Sequence, residues 1–297
     1  RNTAIGYNAL TANTTGYYNT AIGANTLSSN TASYLNVAIG EASLKVNTGP
    51  QNVAVGNYSL TSNTSAGGNT AVGTYASYNN TTGPQNVAVG FQSLWYNTTG
   101  DKNVGIGYQS LYGADGSSSN DNTALGYKAG YAITSGTDNV AVGSEALAAN
   151  TTGGDNNAIG SAALEANTTG DDNNAMGSDA LVANTTGTMN VAIGSDALAA
   201  NTTASYNIAI GDASLSANTT GTRNIAIGRN ALDAPDTEND NLAIGYDALG
   251  AAIAGGEFNV AIGNYSLDAL TSGDKNTGVG YNALTGVTSG SWNTAVG

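Results

Sequence analysis

The sequence predicts an all-β fold, a parallel β-solenoid of about seventeen to eighteen coils with roughly 17 residues per coil. An aliphatic–glycine pair recurs along the whole chain, and fourteen of the seventeen intervals between its glycines are 17 residues long, the others being 16, 19 and 18. A short fixed period indicates stacked repeats, because a unit this small can bury its apolar side chains only against copies of itself. The repeat glycines are Gly6, Gly23, Gly40, Gly56, Gly73, Gly90, Gly107, Gly126, Gly143, Gly160, Gly177, Gly194, Gly211, Gly228, Gly245, Gly263, Gly280 and Gly297.

An asparagine stands four residues before every repeat glycine, in all eighteen repeats. In coils stacked in register, identical asparagines form a ladder in which each side-chain amide donates a hydrogen bond to the next. We therefore predict that these residues are structural and satisfy polar groups buried between coils. The predicted ladder comprises Asn2, Asn19, Asn36, Asn52, Asn69, Asn86, Asn103, Asn122, Asn139, Asn156, Asn173, Asn190, Asn207, Asn224, Asn241, Asn259, Asn276 and Asn293.

Each repeat is predicted to contain two short strands separated by turns. Residues 36–39 alternate their side chains with the period of a strand, and Gly40 ends that strand. A second short strand is expected around residues 43–45, before the turn residues at 47–50. The residue two before each repeat glycine is always Ala or Gly, as at Ala192, which indicates crowding. It lies either in a thin coil interior or where another chain packs closely.

Composition excludes most functional classes. Charged residues make up 9% of the 297 residues and the net charge is −14, so a nucleic acid is not expected as a partner. Histidine and cysteine are absent, which excludes Ser-His-Asp and Cys-His catalysis and any imidazole or thiolate metal site. Acidic pairs such as Asp236 with Glu238 are interpreted as solvated turns. We predict that the protein is not an enzyme and, since no run of 18 apolar residues occurs, that it does not insert into a membrane.

The whole chain, 1–297, is predicted to form one repeat array with two compositional halves. Residues 1–131 carry four acidic and four basic residues and fourteen of the twenty aromatic residues, whereas residues 132–297 carry seventeen acidic and three basic residues. The sequence begins at Arg1 and both of its ends fall at the same phase of the repeat. We therefore expect the array to belong to a longer chain or to stack end to end into a filament.

The string Asn-Val-Ala-Ile-Gly, followed four residues later by leucine, occurs at residues 36–44, 190–198 and 259–267. It resembles the head repeats of YadA-type trimeric autotransporter adhesins and the related β-roll repeats of phage and bacterial tail fibres. The resemblance implies a left-handed parallel β-roll, usually trimeric, that projects from a cell or virion and contacts host matrix or glycans. An extracellular location, on a cell surface, a fibril or a virion tail fibre, is therefore expected.

Several aromatic residues directly follow a repeat glycine and are predicted to stack along one edge of the solenoid. They form a candidate ligand stripe for a glycan or another partner. The alternative is that these rings only stabilise neighbouring coils. The candidate stripe consists of Tyr7, Phe91, Tyr108 and Tyr127.

Two sets of polar residues recur at one position of successive repeats and are candidates for a metal site and for glycosylation. Asp138, Asp155 and Asp172 stand five residues before a repeat glycine, and stacked carboxylates repel unless solvent screens them or a cation such as calcium bridges them. They are weak metal-site candidates, and no other cofactor is expected. Nine Asn-x-Ser/Thr acceptors stand seven residues after a repeat glycine and are candidate glycosylation sites, unless the turn simply favours Asn and Thr. They are Asn13, Asn63, Asn80, Asn97, Asn150, Asn167, Asn184, Asn201 and Asn218.

These observations together predict a structural extracellular fibre segment, the shaft or head of a tail fibre or surface adhesin, without catalysis. Its expected partner is a further copy of itself, in a homotrimer or an end-to-end filament, with host glycans or matrix as additional candidates. The alternative function is a binding module on the same scaffold, either a glycan-binding adhesin or an ice-binding solenoid with regular threonine rows.

Overall fold

The structure is a computed structural model that describes residues 1–234, 237–251 and 255–297, and the predicted parallel β-solenoid is confirmed. Within these residues the regular elements are three-residue strands, one in each turn of about 17 residues, and no helix occurs. The chain divides into two compact units, Arg1–Thr152 and Gly153–Gly297. This boundary lies about twenty residues beyond the compositional boundary at residue 131.

The first unit holds nine strands, each paired in parallel and in register with the next along the chain. In register, Ala21 of one strand lies beside Ala38 of the next. Hydrogen bonds between coils therefore run along the stacking direction. The strands are β1 (Thr3–Ile5), β2 (Thr20–Ile22), β3 (Val37–Ile39), β4 (Val53–Val55), β5 (Thr70–Val72), β6 (Val87–Val89), β7 (Val104–Ile106), β8 (Thr123–Leu125) and β9 (Val140–Val142).

The second unit repeats this arrangement with nine more parallel strands in register. The 18-residue repeat that ends at Gly263 is accommodated without a register slip, since Ala243 still pairs with Ala261. The strands are β10 (Asn157–Ile159), β11 (Asn174–Met176), β12 (Val191–Ile193), β13 (Ile208–Ile210), β14 (Ile225–Ile227), β15 (Leu242–Ile244), β16 (Val260–Ile262), β17 (Thr277–Val279) and β18 (Thr294–Val296).

The second strand predicted in each repeat, around residues 43–45, is wrong. This segment is a turn, because Ala42 and Leu44 have φ angles of 52° and 48°, in the left-handed region that an extended strand does not use. The segment still bonds to the following coil: the Leu44 amide donates to the carbonyl of Ser59 at 3.1 Å. Each coil is therefore one strand followed by a series of hydrogen-bonded turns.

The repeat glycine is required where successive turns stack closely. Gly23 has a φ of +133°, and a Cβ added to it would lie 2.6 Å from the carbonyl oxygen of Gly40 in the next coil. Any side chain would therefore clash with the backbone as well as strain the dihedral angle. This explains why glycine recurs at this position in every repeat.

The coil interior is narrow and is filled by one leucine together with small residues and asparagine. Leu27, Leu44 and Leu198 are fully buried, as are the strand alanines Ala38 and Ala192. Gly105 occupies the same position as these alanines, and a Cβ built on it would lie 2.4 Å from the Leu94 Cδ1. The crowded Ala/Gly position thus lines the coil interior, which resolves the two interpretations left open by the sequence.

Candidate functional site

The asparagines four residues before the repeat glycines form ladders inside each unit. The Asn190 backbone amide and its Nδ2 both donate to the Oδ1 of Asn173, each at 3.1 Å. The same Nδ2 donates to the Ala204 carbonyl at 2.8 Å, and the Asn190 Oδ1 accepts the backbone amide of Asn207 at 3.0 Å. Each such asparagine therefore links three successive coils, which is a structural role rather than a ligand-binding one.

The candidate glycosylation sites lie in a second asparagine column, and the structure contradicts their assignment. Asn63, Asn184 and Asn201 are fully buried. The Asn184 Nδ2, the atom that would carry a glycan, donates to the Oδ1 of Asn167 at 2.9 Å and to the Gly187 carbonyl at 3.0 Å. A glycan there would have to occupy the coil interior. The glycosylation prediction is therefore wrong for the buried sites Asn63, Asn80, Asn97, Asn150, Asn167, Asn184, Asn201 and Asn218. Asn13 is half-buried, and its Nδ2 donates to the Gly16 carbonyl.

The outward-facing residues of the strands form an uncharged and mostly apolar surface on each unit. We call the first and third residues of the strands the outer strand face. In the strands of the described residues these positions hold only Val, Ile, Leu, Met, Thr and Asn. Ile193 is 39% exposed and Met176 is 50% exposed, although each flanks a fully or almost fully buried alanine. Apolar side chains thus remain in contact with solvent at regular intervals along the face.

The first unit carries two rows of stacked aromatic rings. Three of the four residues of the candidate stripe form the first row, with ring centroids 5.6 Å apart for Phe91 and Tyr108 and 5.5 Å apart for Tyr108 and Tyr127. Tyr7 does not join this row, since the two following coils carry Ala24 and Glu41 at its position. A second row, which was not predicted, stands five residues after the repeat glycines and consists of Tyr78, Trp95, Tyr112 and Tyr131.

A third row lies between these two. Tyr75 contacts the ring of Phe91 in the first row at 6.3 Å and that of Trp95 in the second at 5.0 Å. Lys128, three coils further on in the same register, places its Nζ 5.3 Å from the ring centroid of Tyr127 and 5.5 Å from that of Tyr131. The residues of this register between them are Gln92 and Gln109, and the Gln109 Nε2 donates to the Gln92 Oε1 at 2.8 Å.

We call these three rows the aromatic strip: Tyr78, Trp95, Tyr112 and Tyr131; Tyr75, Gln92, Gln109 and Lys128; and Phe91, Tyr108 and Tyr127. The rings of a row are nearly parallel, with interplanar angles of 14° and 17° in the first row, so their faces are directed at one another. Partial burial is the main cause that raises the pKa of the Tyr112 hydroxyl. The strip presents ring edges, phenol hydroxyls and amide groups to solvent.

The acidic column is placed on exposed turns. Asp138, Asp155 and Asp172 have φ angles of 57–59°, and aspartate is one of the residues that tolerate this left-handed conformation. Asp240, in the same register, accepts two 2.7 Å hydrogen bonds from the Arg223 guanidinium, which lowers the pKa of its carboxyl. Among the described residues no group of three or more acidic side chains is arranged to hold a metal ion. Asp236 of the acidic pair lies outside the described residues.

A separate acidic depression occurs in the second unit. Asp233, Asp247 and Asp268 line it together with Tyr265 and Gly250. Burial is the main cause that raises the pKa of Asp233 and of Asp268, and the neighbouring charge of Asp247 adds to both shifts. The depression thus disfavours ionisation of the Asp233 and Asp268 carboxyls.

No protein-family model matches this chain, and no curated protein sequence matches it. Among the residues that the structure describes, none form a helix long and apolar enough to cross a membrane.

Proposed function

We propose that this protein is a non-catalytic structural segment of an extracellular fibre, and that its copies associate through the outer strand face. The observation that carries the proposal is the uncharged, in-register apolar surface described above. Exposed apolar surface that continues over many residues is uncommon in isolated soluble proteins and is characteristic of interaction sites. Parallel sheets in particular normally have both faces covered.

The regular spacing of the outer strand face favours another copy of the chain as the partner. Its side chains repeat once per coil, at the spacing of paired strands, about 4.8 Å. A partner with a different period would lose its alignment with this surface after a few coils. A second solenoid has the same period and can match over the nine strands of a unit. Association of this kind would produce the homotrimeric or filamentous fibre that the repeat sequence predicts.

The proposal is tested with a double substitution on the outer strand face, Ile193→Lys with Ile210→Lys. Wild-type protein is expected to sediment at a multiple of its 29.4 kDa chain mass. The double variant is expected to sediment as a single chain with an unchanged circular dichroism spectrum, because buried lysines would be left unpaired in the interface. Analytical ultracentrifugation over a range of concentrations measures the mass of the wild-type protein and of the double variant, and circular dichroism checks that the variant is folded.

Two further variants separate association from folding. Ser195→Lys adds a charge to an exposed turn of the same coil and should leave the sedimentation unchanged. Ala192→Leu changes the inward side of the same strand, where overpacking costs about 1–3 kcal/mol, so it should lower the melting temperature. A wild-type chain that stays monomeric at high concentration would contradict the proposal.

The ice-binding alternative depends on free threonine rows, and one threonine row of the second unit is already engaged in hydrogen bonds. The hydroxyls of Thr168, Thr185 and Thr202 each donate to the carbonyl of the threonine in the next coil, at 2.9–3.3 Å. These hydroxyls therefore support the turn. The binding-module alternative is better supported by the aromatic strip of the first unit.

A further inference from the structure

From the aromatic strip we infer a binding site for an extended, uncharged polysaccharide of β-1,4-linked hexoses. The chain would lie along the stacking direction of the coils, across residues 75–131. The inference goes beyond the proposed structural function and does not depend on self-association, because the strip occupies turns and not the outer strand face.

The chemistry of the strip selects the type of ligand. Its ring faces are directed at one another, so a flat aromatic ligand finds no open ring face along the rows. Its only charged member is Lys128, whose ammonium already lies over two rings. A polyanion therefore finds no row of cations. Phenol hydroxyls and amides together suit an uncharged ligand with many hydroxyl groups, whose hydroxyl oxygens can in turn accept weak contacts from the electropositive ring edges.

The spacing of the strip selects an extended sugar chain over a polypeptide. Equivalent groups recur once per coil, with ring centroids 5.0–6.3 Å apart in the second row. Side chains on one face of an extended peptide recur every two residues, about 6.6 Å, and those of a polyproline helix every three residues, about 9.3 Å. A β-1,4-linked hexose chain is straight and advances by nearly one coil spacing per sugar, so successive sugars would lie over successive coils of the two aromatic rows.

The third row, which lies between the two aromatic rows, holds the side-chain amides that would bind the hydroxyl groups of the sugars. Gln92 and Gln109 are half-buried, and their mutual hydrogen bond holds both amides in a fixed orientation. Tyr75 occupies this row on one side of the pair and Lys128 on the other. The two amides are therefore flanked along the row by an aromatic ring and an ammonium group, and they offer sugar hydroxyls a donor at Gln92 and an acceptor at Gln109.

The site is tested by affinity gel electrophoresis in gels that contain hydroxyethyl cellulose or glucomannan. Retardation of the wild-type chain by these β-1,4-linked polymers is expected, with none by dextran, which is α-linked and does not run straight. The variant Gln92→Leu with Gln109→Leu keeps both aromatic rows but removes the amides. Its affinity for the polysaccharides should be at least about tenfold lower, because the sugar hydroxyls would lose the amide groups as hydrogen-bond partners.

A matched pair of tryptophan variants locates the binding. Trp95→Ala, in the strip, should also weaken retardation at least about tenfold, whereas Trp292→Ala, an exposed tryptophan of the second unit, should not change it. In a Trp292→Phe background, the fluorescence of Trp95 should change on addition of glucomannan. Melting curves by circular dichroism identify any variant that has merely lost its fold.

Three outcomes would overturn the inference. They are an absence of retardation by either β-1,4-linked polymer, retardation that the glutamine double variant retains in full, and equal retardation by dextran. Binding to poly-L-proline in place of the polysaccharides would assign the strip to a polypeptide partner instead and would likewise refute it. Because sedimentation of the outer-face variants is measured separately, a failure here leaves the structural proposal intact.

Discussion

The two units of the chain have the same interior and different exteriors. Both contain the asparagine ladders, the strand alanines and the buried leucines in the same registers. Five residues after the repeat glycine, however, the first unit carries the ring row of Tyr78, Trp95, Tyr112 and Tyr131, whereas the second carries small, aliphatic and acidic residues such as Ala199 and Asp233. The positions that face inward are thus constrained by the fold, whereas these outward positions of the turns vary between the units.

This difference separates the residues that specify the solenoid from those that give each unit its own surface. An inward residue must fit against identical residues in the coils on either side, so the same few residue types recur. An outward residue contacts its equivalents only through its side chain, and the backbone ladder holds with or without that contact. Substitutions at inward positions should therefore have equal effects in both units, whereas substitutions at outward positions should not.

The largest effect is expected at the asparagine ladder. Asn190→Ala in the second unit removes side-chain bonds to the coils on both sides and leaves the Asn207 amide and the Ala204 carbonyl without those partners, at a cost of about 1–3 kcal/mol. Asn86→Ala in the first unit should cost as much, because Asn86 makes the equivalent bonds to the Gly100 carbonyl and the Asn103 amide. Denaturant unfolding measures both changes. Met189→Ala is the control, since the Met189 side chain is half exposed.

Unequal effects of the two asparagine substitutions would show that the interiors are not energetically equivalent. A melting curve unchanged by Asn190→Ala would refute the structural role of the ladder altogether.

A smaller effect, confined to one unit, is expected from the aromatic rows. Tyr112→Ala removes stacking on Tyr131 at 5.0 Å and on Trp95 at 6.3 Å, which should lower the free energy of unfolding by about 0.5–1.5 kcal/mol. The reverse change in the second unit, Ala199→Tyr, introduces a ring between Val182 and Ser216 and should leave stability nearly unchanged. Thermal melts of both variants compare the two surfaces directly. Tyr206→Ala, at an exposed tyrosine of the second unit, is the control. A loss from Tyr112→Ala no larger than that from Tyr206→Ala would mean that ring stacking does not support the coils.

The smallest effect concerns the acidic depression. Burial raises the pKa of Asp268 in the folded protein, so the folded state holds the proton more tightly than the unfolded state and stability falls as pH rises through the raised pKa. Asp268→Asn should therefore stabilise the protein at neutral pH, by less than about 1 kcal/mol because the site is largely solvated. The gain should disappear below pH about 3.8, the ordinary value for this carboxyl. Melting temperatures measured from acid to neutral pH test this expected gain in stability, with Asp172→Asn, at an exposed carboxyl, as the control. A gain that persists in acid would argue against a charge effect.

The fold was predictable because eighteen imperfect copies of one unit show which positions cannot vary. The glycosylation assignment failed because an acceptor motif does not report burial. A signal was present nonetheless: Asn30 and Asn47 occupy the same register and are followed by Thr-Ala and Thr-Gly, which are not acceptor motifs. Asparagine is therefore retained there without the motif, as a structural residue would be.

Two features could not be predicted, for different physical reasons. Leu44 and its equivalents adopt a positive φ that costs roughly 1–2 kcal/mol for a residue with a side chain, and only burial in the stacked coil offsets that cost. A rule based on isolated residues therefore predicts a strand. The second feature is the closeness of the row of Tyr78 and Trp95 to the row of Phe91: the repeat period places each row in a register, but the distance between them depends on the path of the turn, which the period does not define.

The direction of the hydrogen bonds between coils has a mechanical consequence. Within a unit the coil interfaces are arranged in series, and a force applied along the stack acts on each of them equally. The weakest interface would open first while the others hold, and each detached coil would release about 17 residues, roughly 55–60 Å of extended chain. Under load such a segment lengthens in steps and dissipates energy, so a fibre built from it would be tough and extensible rather than brittle.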